Sequence, residues 1–102
     1  MTTAELIEGL ERGPVVVMPL ADWQGLASSF EVLEQADTFV AGRITLARGP
    51  GDVVVVIEEP KHDERVVRRL ADLERARALV ADRLATYERM WNGCGCKVDY
   101  YH

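Results

Sequence analysis

The most reactive side chains in this sequence are two thiols one residue apart. Asn92-Gly-Cys-Gly-Cys-Lys97 sets Cys94 and Cys96 between glycines. Thiolates suit soft or borderline ions such as Zn(II) or Cu(I). Zinc wants four ligands. One chain offers Cys94 and Cys96, with Asp99 and His102 as supplements, and two chains about a two-fold axis would supply two cysteines each. The cofactor expected on this reading is zinc or another thiophilic metal. Alternatively the pair closes a strained, easily reduced disulfide, with the charge of Lys97 favouring the thiolate. A third reading makes both cysteines small tail residues without a role, because Cys-x-Cys lacks the spacing of a paired Cys-x-x-Cys zinc motif. The negative end of a helix dipole is a poor place to activate a thiolate, which ranks ligation ahead of redox chemistry.

A second cluster gathers Glu58, Glu59, His62, Asp63 and Glu64. Carboxylates with one imidazole suit a hard divalent cation or acid–base work. The more ordinary origin of such a run is a strand end followed by the acids favoured at a helix N-terminus. Ser28-Ser29 has no nucleophile-elbow context, and Gly49-Pro-Gly-Asp52 lacks the Lys-Ser/Thr of a phosphate loop. No residue is assigned a catalytic or cofactor-holding role, and the sequence leaves open whether the chain is an enzyme.

The elements that position these groups are read from periodicity. Thr2 and Glu5 make a capping-box pattern for a first helix carrying Leu6, Ile7 and Leu10, which Gly13-Pro14 ends. Val15-Val-Val-Met18, stopped by Pro19, reads as a strand buried on both faces. Asp22 is the expected N-cap of a second helix whose face is Trp23, Leu26, Ala27, Phe30 and Leu33. The segment from Val40 to Leu46 alternates as a strand, Gly49–Asp52 supplies a turn, and Val53–Ile57 returns as its hairpin partner. Asp63 is the expected cap of a final helix that runs to about Trp91, where Asn92-Gly93 stops it. Residues 92–102 then form a tail or, over Lys97–Tyr101, a last strand. The order predicts one α+β domain over 1–102: a small antiparallel sheet with helices on one face and a long C-terminal helix. Its inner part follows the split ferredoxin-like βαββαβ pattern behind an N-terminal helix.

In that last helix apolar residues recur every seven. Val66, Leu73, Val80 and Tyr87 form one row; Leu70, Leu84 and Trp91 form the other, with Arg77 filling the gap. This is the spacing of a coiled-coil seam, though core-facing helices carry a similar stripe. A helix over 64–91 would measure about 42 Å, longer than the roughly 34 Å diameter of a globule of this size. An apolar overhang asks for a partner, and Arg77 in its middle would fix register or pair with an acid from the hairpin. Arg65, Arg68, Arg69 and Arg75 interleave with Asp72, Glu74 and Asp82, as on a solvated face.

Composition limits the function classes. The chain has 102 residues, 48% apolar and 28% charged, as a single globular domain does. Its net charge of −5 disfavours sequence-blind nucleic-acid binding. The Met1-Thr-Thr-Ala-Glu5 start lacks a basic and apolar leader, no run is long enough to span a bilayer, and two close cysteines are no disulfide framework, so a cytoplasmic protein off the membrane is expected. The leading expectation is a small self-associating accessory or interaction protein, a homodimer through Val66–Trp91. The alternative is a thiol-based metal-binding or redox protein using Cys94 and Cys96.

Overall fold

A computed structural model of the chain describes residues 1–38 and 42–93, with side chains as far as Arg89. Helix α1 (Thr3–Arg12) starts as expected: the Thr2 hydroxyl accepts the Glu5 N–H, and the Glu5 carboxylate accepts the Thr2 N–H. Its buried residues, Leu6 and Leu10, lie one turn apart. Strand β1 (Val15–Pro19) leads directly into α2 (Leu20–Leu26), for which Pro19 is the N-cap and Asp22 lies in the first turn. Gly25, Ser28 and Ser29 are weak helix formers, and the chain tightens into a 3-10 turn at Ala27–Ser29. The Thr3 hydroxyl donates to Ser29 Oγ at 2.9 Å, tying that turn to the start of α1.

Strand β2 (Glu31–Thr38) occupies residues whose first part was expected to continue the second helix, so Leu33 sits on a strand. A register shift between Val32 and Glu34 breaks its alternation and hid it from a period-two reading. Strand β3 (Gly42–Arg48) and β4 (Val54–Lys61) form the expected hairpin around Pro50–Asp52, where Gly51 takes a φ of 72°. Gly49 is required for space, because a Cβ there would stand 2.5 Å from the Phe30 ring.

The largest departure lies at 64–70. Instead of a helix capped by Asp63, Glu64–Leu70 is strand β5, paired antiparallel with β4 on one side and β1 on the other. Val66-Val67 favours a strand, and β4 needs backbone partners along both edges once its side chains are buried. Helix α3 (Leu73–Gly93) therefore begins later and is 21 residues long. Asp72 opens it, its carboxylate accepting the Arg75 N–H at 2.8 Å and its carbonyl the Ala76 N–H.

The five strands lie in the order β1-β5-β4-β3-β2, with every neighbouring pair antiparallel. The α+β class is as expected. The ferredoxin-like order is not found: β2, β3, β4 and β5 follow one another as a meander with no α-helix between them, so the second βαβ crossover of that pattern is missing. Helices cover both faces rather than one. Leu6, Leu10, Met18, Leu26 and Phe30 from the α1 and α2 side pack on Val55, Ile57 and Val67. On the reverse face Ala76, Leu73, Val80 and Leu84 of α3 pack on Ile44, Leu46, Val54 and Val56. Strand β4 is central and buried from Val54 to Ile57. Strand β1, expected to be buried on both faces, is an edge strand instead.

Candidate interaction surface

The acidic cluster is divided by the pleat of β4. Glu58 points to the α3 face, where its carboxylate accepts from Arg83 Nε at 3.1 Å. Its neighbour Glu59 points to the opposite face and lies 3.7 Å from Arg65. Arg65 Nη1 also donates to the carbonyls of Lys61, His62 and Glu64, which fixes the β4–β5 turn. Among the described residues no group of three or more His, Cys, Asp or Glu is gathered as metal ligands. Cys94, Cys96, Asp99 and His102 lie outside the described residues, as does the expected strand over Lys97–Tyr101.

The seven-residue seam is split between two elements. Val66 and Leu70 belong to β5. Leu73, Val80, Leu84 and Tyr87 are half-buried on α3 and face their own sheet. Trp91 lies on α3 beyond the last described side chain. Arg77, expected in the middle of an apolar seam, is exposed and donates to Glu34 of β2 at 2.7 Å. Its partner thus comes from β2, a strand that periodicity did not reveal. The unbroken rod over 64–91 is absent because its first turns are strand.

Two titrations are displaced. Burial, then the Glu58 carboxylate, pushes the Tyr87 phenol above its usual 10.0, while Arg83 pulls the other way. The hydrogen bond to Asp37 and its charge raise Arg43 further above its usual value. Beside α2 the sheet leaves an open cleft of about 240 Å³. Trp23 and Phe30, with ring centroids 5.3 Å apart, wall it, and Gln35, Thr45 and Glu59 line its floor.

The most exposed apolar surface on the sheet itself lies at its two edges. On β1, Val15 and Val17 are 37% and 57% exposed, and on β2 Val32 is 53% exposed. The backbone of β1 is half-used. Arg69 N–H donates to the Pro14 carbonyl and Leu20 N–H to the Asp63 carbonyl, which sets even-numbered residues toward β5. By alternation the N–H and C=O groups of Val15 and Val17 point out of the sheet. Pro19 shares that outward parity, where its missing N–H breaks no ladder bond. These outward groups were not foreseen, because an edge is a property of strand order and has no local signature. Among the described residues no helix is long and apolar enough to cross a membrane. Compared with family models, curated proteins and solved structures, the chain matches none.

Proposed function

We propose that this chain is a small self-associating interaction protein. The observation that carries the reading is the bare flank of the sheet: β1 has open backbone groups and two exposed valines in a strand without a charged residue. Unpaired edges of this kind template pairing with another chain. The seam expected over Val66–Trp91 is replaced as the contact by this flank, since the α3 part of that seam faces its own sheet. Sedimentation velocity over a concentration series tests the reading. A mass that rises to twice the chain mass is expected; a monomer at every concentration up to the solubility limit would overturn it.

A further inference from the structure

We infer that two copies of this chain join edge to edge through β1, antiparallel about a two-fold axis, so that their two sheets become one. The inference rests on the self-association reading and names its surface. Four observations converge on β1. First, its outward backbone groups are self-complementary. With Val16 on the axis, Val15 of each copy lies opposite Val17 of the other, and each such pair exchanges two hydrogen bonds. Second, that register sets the exposed valines of the two copies side by side on one face, a cross-strand pairing that sheets favour.

Third, charge separates the two edges of the sheet. Strand β2 carries Glu31, Glu34 and Asp37 and a bulge, the usual guards against edge-to-edge pairing. Two copies meeting there would bring carboxylates together in a chain already at −5. Strand β1 has no charge between Val15 and Pro19. Its two ends also differ. Arg68 and Arg69 stand beside its start, and Asp63 and Glu64 beside its end, all four without an ion-pair partner among the described residues. Antiparallel pairing turns the basic end of each copy toward the acidic end of the other.

Fourth, Arg68 Nε is a buried nitrogen without an acceptor, beside the exposed Val15 that is its cross-strand neighbour. A buried donor left unmatched is costly, and here it adjoins the flank that a second copy would extend.

Two measurements test the interface without depending on one variant. In hydrogen exchange, the Val15 and Val17 amides, which have no partner in a single chain, should be protected in concentrated solution and lose protection on dilution. Fast exchange at all concentrations overturns the interface. In sedimentation, Val17→Lys should weaken self-association about 10-fold or more, because each new ammonium would replace the valine that faces the other copy's Val15 and would stand on the side of that copy's Arg68, while Val32→Lys on the other edge leaves it unchanged. Circular dichroism checks that both variants are folded. If the wild-type chain self-associates but Val17→Lys does so equally well, this interface is wrong and the self-association reading stands. If the wild type is a monomer throughout, both fall.

Discussion

Strands β1 and β4 are built from nearly the same letters, Val-Val-Val-Met and Val-Val-Val-Ile, and end in opposite surroundings. Strand β4 lies at the centre of the sheet, paired on both edges and covered on both faces, so Val55 and Val56 are fully buried. Strand β1 pairs on one edge only, and its Val15 and Val17, on the face that α3 packs against nearer the centre of the sheet, stay exposed. A run of β-branched residues dictates extended backbone. Which of its groups remain unsatisfied is dictated by its neighbours, and that remainder is what a partner can use.

The contrast can be broken most severely at the centre. Val55→Ala should cost about 2–3 kcal/mol in urea unfolding, from lost burial and the cavity left behind. Val17→Ala should change the unfolding of the monomer by less than about 0.5 kcal/mol, as exposed substitutions do. Equal costs at the two positions would show that the strands are not placed as described.

Gly49→Ala attacks the support of β4 from the side. The new methyl would press on the Phe30 ring, part of the cluster that covers Val55. A loss of about 1–3 kcal/mol is expected from overpacking. The Trp23–Phe30 contact should shift as well, which tryptophan fluorescence would detect.

The smallest effect is electrostatic and lies on the α3 side of β4. Folding raises the Tyr87 phenol above its unfolded value. The neutral phenol therefore contributes stability that is complete below the usual tyrosine range and is lost as pH rises through the raised folded value. Stability measured between about pH 9 and 11 should fall more for the wild type than for Tyr87→Phe. Parallel curves would remove the assigned environment of Tyr87.

Much of the fold was legible residue by residue. Thr2 and Glu5 announced the first helix, Gly13-Pro14 ended it, and Gly49–Asp52 between apolar runs marked the hairpin. Each signal is local, because the groups that satisfy one another are within four residues or share one turn. What failed had long-range causes. Glu64–Leu70 carries spacing that extends a helical stripe, and only the need of β4 for a second backbone partner makes it a strand. Strand β2 was masked by its bulge at Leu33. Of the candidate surface, the valines were visible in the sequence and their exposure was not.

The sequence by itself determined that this is an α+β chain with a valine hairpin, a capped first helix and an amphipathic last one. Those outcomes follow from backbone preference and from periodicity within single segments. Tertiary structure alone decided that β1 is an edge, that α3 lies across the opposite face from α1 and α2, and that Arg77 meets Glu34. Each of these depends on pairing between segments far apart in the chain. Backbone hydrogen bonds and apolar contacts of that kind have no specific partner until the strands are ordered, so no local pattern records them.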